Sequence, residues 1–338
     1  METILSIAIP SFNRIDSLQK TLASLSSLAK QDEIEILVVD NASDDGTWEW
    51  LSSEHENLGI KIKRNPFNFG IEGNVIQALV LATGRYIWLL SDHMFVYESE
   101  ALNFLENLKG GLNFTLGYAR IEQYQKVLPE TYLPIPLEKI DLIALGKLMF
   151  FMGNISALIV NREYLLNCGR SLFRCSGYSY PNLGVFVHLS NDDTIVELNP
   201  VSEFASEKSD KPKRISYDTF RSRFIGFVRA LEEIRRLNPQ VNWSNKALKC
   251  GLLLGPLISD SIYYLCTGKS INFSDFVFCI TRYPGKIRLF LILCSMLSLM
   301  PIKIRVGLSN LLFRLLIPNL YSQAMNRPLQ TTSETILE

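Results

Sequence analysis

Between Ile4 and Leu90, short apolar runs alternate with stretches of helical periodicity, and that alternation leaves few folds open. Ile4–Pro10, Ile34–Asp40, Ile60–Arg64 and Tyr86–Leu90 read as strands. Between them, Ile15–Leu28 places Ile15, Leu18, Leu22 and Leu25 at helical spacing, with Asn13 positioned to cap it. A second helix starts over Thr47–Leu51 and a third covers Glu72–Ala82. Repeated βαβ units predict a mainly parallel sheet with right-handed crossovers and helices on both faces. In such sheets ligands sit beyond the carboxyl ends of the strands, so the informative residues are those that follow each strand.

Those residues are small and polar. They read Ser11-Phe12-Asn13-Arg14, then Asp40-Asn41-Ala42-Ser43-Asp44-Asp45-Gly46-Thr47, then Asn65-Pro66-Phe67-Asn68-Phe69-Gly70, then Ser91-Asp92-His93. Carboxylates, amides and glycine gathered at one sheet edge suit a nucleotide. An acid can accept from a base N–H or a ribose hydroxyl, while loop amides and helix N-termini receive phosphate. Taken alone, Asp44-Asp45-Gly46 is an ordinary turn ahead of a helix. Neither GxGxxG nor GxxxxGK[ST] occurs, so neither the dinucleotide fingerprint nor a P-loop is supported.

Taken together, IAIPSFNR, LVVDNASDDGTWEWL, NPFNFGIEGNVIQAL and GRYIWLLSDH resemble the family 2 glycosyltransferases, nucleotide-sugar enzymes of the GT-A fold. The resemblance implies a Rossmann-like, mainly parallel α/β sheet flanked by helices, with a nucleotide-binding half over 1–95 and an acceptor half over 96–205. It also implies transfer of a sugar from a nucleoside diphosphate. Carried over to this sequence, Pro10, Phe12 and Asn13 would line the base pocket, and Asp40 would accept the N3–H of uracil or thymine, which cytosine lacks. Asn41 and Asp44 would shape the next turn. Asn68, Gly70 and Ser91 would close on the ribose–diphosphate side.

The family usually carries Asp-x-Asp after the fourth strand to hold a divalent cation against the diphosphate. Here the outer positions are Ser91 and His93, leaving Asp92 between them. Asp92 and His93 are therefore the expected catalytic and metal residues, with Mn²⁺ tolerating imidazole more readily than Mg²⁺ does. Three readings stay open: metal-assisted donor binding, metal-free binding with His93 as a substitute, and a dead site. Further on, FMGNISALIV resembles the segment under the acceptor, so Gly153, Asn154 and Ser156 are candidates for contact with donor sugar or acceptor. Inverting members place a basic carboxylate near the position of Gly177–Asn182, where this chain has none. Asp192 and Asp193 read as a turn, and His188 as a packed histidine.

The formal net charge is +0, yet the two parts of the chain differ. Residues 1–205 hold 15 Lys and Arg against 25 Asp and Glu, whereas residues 206–338 hold 19 against 9. From Ser261 to Arg327 there are eight basic residues and one acid, Asp275, interleaved with apolar stretches such as Leu289–Ile302. This pattern predicts a helical, basic C-terminal region meeting an anionic membrane surface over 245–320. Nucleic acid is not expected, because no reader motif appears. The polar stretch Ser202–Ser216 reads as the boundary, and as a lid in the resembling family.

Six cysteines show no CxxC pair, and the N-terminus lacks a basic leader, which points to a reducing, cytoplasmic setting. The leading expectation is a glycosyltransferase at the inner face of the membrane, adding a sugar from a UDP- or dTDP-sugar to a glycan or lipid-linked glycan in cell-surface polysaccharide assembly. The competing one is an inactive nucleotide-sugar-binding partner subunit.

Overall fold

The structure is a computed structural model that describes residues 2–121, 134–136, 139, 155–190, 193–203, 225–239, 254–267, 273–282 and 286–325. The four expected strands are present as β1 (Leu5–Ser11), β2 (Ile34–Asp40), β3 (Lys61–Arg64) and β4 (Tyr86–Leu89). The helices between them are α1 (Ile15–Ala23), α2 (Thr47–Leu58) and α3 (Gly70–Leu81). All pairings among these strands are parallel, in the order β3-β2-β1-β4. β1 is buried at every position and β2 at all but its first. This is why their sequences are unbroken apolar runs rather than alternating ones.

The first helix is shorter than its periodicity predicts. It ends at Ala23, and Leu28–Lys30 forms a separate 3₁₀ turn. Ser24 breaks it: its hydroxyl donates to the Thr21 carbonyl at 2.7 Å and accepts the Val96 N–H at 3.2 Å. Leu25 and Leu28 are nevertheless fully buried, so apolar spacing marked the core correctly while the backbone changed form. Asn13 is not the cap. Its φ of +52° is left-handed, Arg14 occupies the capping position, and the Ile15 N–H donates to Asp45 Oδ2 at 3.2 Å.

Beyond β4 the sheet becomes mixed. β5 (Met94–Val96), α4 (Glu98–Lys109), β6 (Leu116–Ile121), β7 (Ile135–Pro136) and β8 (Leu158–Asn161) lead to short helices α5 (Arg162–Asn167) and α6 (Gly169–Ser176). A 3₁₀ helix over Pro181–His188 and the long β9 (Thr194–Glu203) follow. The sheet continues β4-β8-β6-β9-β5, with β4·β8 and β8·β6 antiparallel and β7 paired to β9. β9 lies parallel to β6 along its first part and pairs antiparallel with β5 at its end. The sheet therefore folds back toward Ser91–His93, which link β4 to β5.

Gly184 of the 3₁₀ helix lies against the backbone of α6. A Cβ there would meet Leu172 N at 2.6 Å and both Leu172 Cα and Ser171 C at 2.7 Å. Backbone atoms on both sides cannot yield as a side-chain tip would, so Gly184→Ala is expected to cost about 3 kcal/mol. Urea unfolding checks this, and an unchanged midpoint would contradict the close approach.

After β9, α7 (Phe227–Leu237) packs on the 3₁₀ helix and α6. It is followed by α8 (Leu254–Thr267), α9 (Phe273–Arg282), α10 (Lys286–Ser298), α11 (Ile302–Leu316) and α12 (Pro318–Met325). Leu257, Ile262, Leu265, Phe276, Leu291 and Phe313 give these helices a buried core. Arg282 ties them to α7, bonding Glu232 at 2.9 Å and lying 4.0 Å over the Phe278 ring. Among the described residues no helix is long and apolar enough to cross a membrane. The five described cysteines are buried and free, and burial pushes Cys168, Cys175 and Cys279 up to about 12, which leaves them unreactive near neutral pH.

Candidate functional site

The chain order β3-β2-β1-β4 reverses direction at β1, since α1 carries the chain toward β2 on one side and α3 brings it back to β4 on the other. A crevice opens at such a reversal, outside the carboxyl ends of the strands. Ser11, at the end of β1, and Asp92, just past β4, meet there: the Ser11 hydroxyl donates to Asp92 Oδ2 at 2.9 Å.

Asp40 ends β2 and is fully buried. Its Oδ2 accepts the Ser43 N–H at 3.2 Å and stands 3.4 Å from Arg64 Nε. Arg64 also donates to the Ser43 carbonyl at 2.9 Å and lies 5.4 Å over Trp48, so the turn after β2 is clamped. Oδ1 of Asp40 has no hydrogen-bond partner among the described residues. A buried carboxylate oxygen without a donor is costly, and a ligand N–H would relieve that cost.

The other expected nucleotide residues divide into two groups. Pro10 is buried in β1, while Phe12 stands 39% exposed beside the crevice. Asn13 and Asp44 bond each other twice, through Asn13 Nδ2 to Asp44 Oδ1 at 2.7 Å and Asp44 N to Asn13 Oδ1 at 2.9 Å, which joins the loops after β1 and β2. Asn41 is saturated by the protein itself. Its Nδ2 donates to Asn68 Oδ1 and the Gly70 carbonyl, and its Oδ1 accepts from Asn65 Nδ2 and the Phe69 N–H. Asn65 continues to Asn74, whose Nδ2 reaches the Val39 and Ser11 carbonyls. Asn41 thus anchors the wall of the crevice rather than presenting a free group to it. Gly70, with φ +75°, takes the left-handed turn that starts α3.

Asp92 is the centre of the far wall. Besides Ser11, its Oδ1 lies 3.3 Å from Arg14 Nη1 and 3.4 Å from His93 Nδ1. His93 Nδ1 is in turn 2.9 Å from the same Arg14 Nη1 and 2.8 Å from Ser91 Oγ. Nδ1 accepts from the Arg14 guanidinium in one ring tautomer and donates to Asp92 Oδ1 in the other. Burial alone would raise the Asp92 pKa, but the surrounding donors, with the Arg14 charge among them, hold it below the ordinary carboxylate value. The carboxylate is therefore ionised at neutral pH.

Ser156 is buried behind this loop; its hydroxyl accepts the Ser91 N–H at 3.1 Å, and its carbonyl accepts the Trp88 indole N–H at 2.9 Å. Gly153, Asn154 and Asp192 lie outside the described residues. Asp193 closes a turn, accepting from Ser190 N at 2.7 Å and Thr115 Oγ1 at 2.7 Å. His188 is exposed at the end of the 3₁₀ helix instead of packed; it is the first residue past the buried run Pro181–Val187.

The profile described as Glycosyl transferase family 2 matches residues 6–160, which run from β1 into β8 and contain Ser11, Arg14, Asp40, Asp92, His93 and Ser156. Over residues 6–160 the chain is therefore similar to the family 2 glycosyltransferases. The abequosyltransferase RfbV of Salmonella typhimurium is 35% identical over 103 residues, a match covering 29% of this chain and 31% of that protein. The chain thus matches about a third of the length of that curated relative. Two structures of S. aureus TarS 1–349 show the same GT-A fold at 14% identity, each with 90% of both chains covered: TM-score 0.52 without ligand named and 0.53 in complex with UDP-GlcNAc.

The divalent cation that the resemblance implies does not fit the residues present. Asp92 is the single carboxylate of its loop, and both its oxygens are engaged. Its one partner ligand, His93 Nδ1, faces the same guanidinium nitrogen. Among the described residues no three His, Cys, Asp or Glu side chains gather to hold an ion. Hard cations require several oxygen ligands, and a cation bridging Asp92 and His93 would have to displace Arg14. Sequence reasoning passed over Arg14, although it stands within the first resemblance block, one loop away from an acid pair that this chain lacks.

Proposed function

We propose that the chain transfers a sugar from a nucleoside diphosphate sugar, UDP- or dTDP-linked, to a glycan or lipid-linked glycan in cell-surface polysaccharide assembly. The observation that carries this reading is the partnerless Asp40 Oδ1 at the carboxyl end of β2, beside the strand reversal. The uracil or thymine N3–H is a donor of the right kind for it; cytosine offers none there. The UDP-GlcNAc complex of TarS, which shares this fold, lends support, as does the name of the abequosyltransferase relative. In this reading Asp92 and His93 face the leaving diphosphate, Gly153 and Asn154 flank the sugar and acceptor, and Ser156, expected beside them, instead holds the Ser91 backbone from behind.

The proposal extends to location. Residues 206–338 act as a basic helical platform that rests on the inner face of the cell membrane through 245–320, keeping the site near a lipid-borne acceptor. On α10, Leu289, Met296 and the following Leu299 are 72%, 60% and 66% exposed, and on α11 Leu315 is 70% exposed. Exposed Arg288, Lys303 and Arg314 are interleaved with them. At 13 residues α10 is about 20 Å long, too short to cross a bilayer but suited to lying in its interface. Replacing Leu289, Met296, Leu299 and Leu315 together by serine is expected to abolish sedimentation with anionic vesicles. Unchanged sedimentation would contradict the platform.

A second reading, a nucleotide-sugar-binding partner without turnover, draws on the single carboxylate at Asp92. Release of nucleoside diphosphate from a panel of UDP-, dTDP- and GDP-sugars, with membrane lipid extract as acceptor, separates the two. The transferase reading expects release from a UDP- or dTDP-sugar. Binding without release would favour the partner reading, and release from GDP-sugars alone would contradict the UDP- or dTDP-linked donor.

A further inference from the structure

We propose that Arg14 supplies the positive charge that meets the donor diphosphate, so that the site works without a divalent cation. The inference rests on the nucleotide-sugar reading of the crevice and adds the residue and the charge logic to it. Arg14 Nη1 sits between Asp92 and His93, the residues expected to ligate a metal, 3.3 Å from Asp92 Oδ1 and 2.9 Å from His93 Nδ1. It therefore stands where a bridging cation would stand.

Charge balance points the same way. Two carboxylates with a divalent cation sum to zero formal charge, and so does one carboxylate with one guanidinium. Replacing the outer acids with Ser91 and His93 while placing Arg14 opposite keeps the balance of the site and changes only its carrier. The guanidinium also retains capacity for a ligand. Only Nη1 is engaged among the described residues, leaving the N–H groups of Nε and Nη2, and the side chain is 40% exposed. A guanidinium edge of this kind binds phosphate oxygens in pairs. Asp92, ionised and held by Ser11, fixes the other edge of the fork.

Arg14 is a binding residue for the diphosphate, so its test reads phosphate against nucleoside. Calorimetric titration of the full chain with UDP, dTDP and uridine is run in EDTA and again with Mn²⁺, beside Arg14→Ala and Arg14→Gln. UDP or dTDP is expected to bind in EDTA within about threefold of its affinity with Mn²⁺. Both variants are expected to lose about tenfold or more for the diphosphate and nothing for uridine. Arg14→Gln keeps a hydrogen-bond donor toward Asp92 without the charge, so a folding defect confined to Arg14→Ala does not obscure the answer. Binding that appears only with Mn²⁺, or variants that bind UDP and dTDP as wild type does, would overturn the role of Arg14 and leave the nucleotide-sugar reading standing. No binding of either nucleotide by the folded wild type, with or without Mn²⁺, would overturn that reading and this inference with it.

Discussion

Asp40→Ala is expected to weaken UDP or dTDP binding by roughly tenfold to a hundredfold, the range for one hydrogen bond to a charged acceptor. The Asp40 carboxylate is fully buried, and one of its oxygens lacks a donor among the described residues, where a ligand N–H would supply one. CDP supplies the control: without an N3–H it draws nothing from Asp40, and its affinity is expected to stay the same. Asp40→Asn preserves the size of the side chain while removing the charge and turning one acceptor oxygen into a donor. Because Arg64 and the Ser43 N–H also lean on Asp40, melting curves of both variants are needed to separate a loosened turn from a lost base contact. UDP binding equal to wild type in a folded Asp40→Ala would remove the base pocket from this position.

The second large effect is at Asp92. Asp92→Ala is expected to lower turnover about a hundredfold or more while UDP binding falls far less, since its place is opposite the leaving group rather than the base. It takes away the anchor of Arg14 and the acceptor for Ser11 together, and it leaves His93 as the remaining partner of Arg14. The stability cost should be modest, because Arg14 is 40% exposed and water can take over its solvation. Equal losses in binding and in turnover would indicate a pocket that has collapsed. Full turnover by the variant would remove Asp92 from the chemistry.

The parallel half of the sheet was legible because its signal is local and repeated. Strands buried on both faces must be unbroken apolar runs, and Ile34–Asp40 coincides with the strand found there. Helix ends were less legible. Leu18, Leu22, Leu25 and Leu28 are spaced as a helix, but a serine hydroxyl competing for the backbone ends that helix at Ala23 while the leucines stay buried. Of the site, the strand-end positions Asp40 and Asp92 could be found from order along the chain alone. The roles of Asn41, Asn65 and Asn74 could not, because a carboxamide reads the same whether it faces ligand or is consumed by its neighbours. Arg14 was hidden for a related reason: its meaning depends on what is missing from a loop 78 positions further on, with which it makes contact only in the fold.

The measurement that tests the central claim most directly is a calorimetric comparison of UDP, dTDP, GDP and CDP on the full chain. The account predicts saturable one-to-one binding of UDP or dTDP, with CDP at least about tenfold weaker, as expected where one hydrogen bond to a charged group separates these pyrimidines. Absence of binding for all four, or preference for CDP, would contradict it.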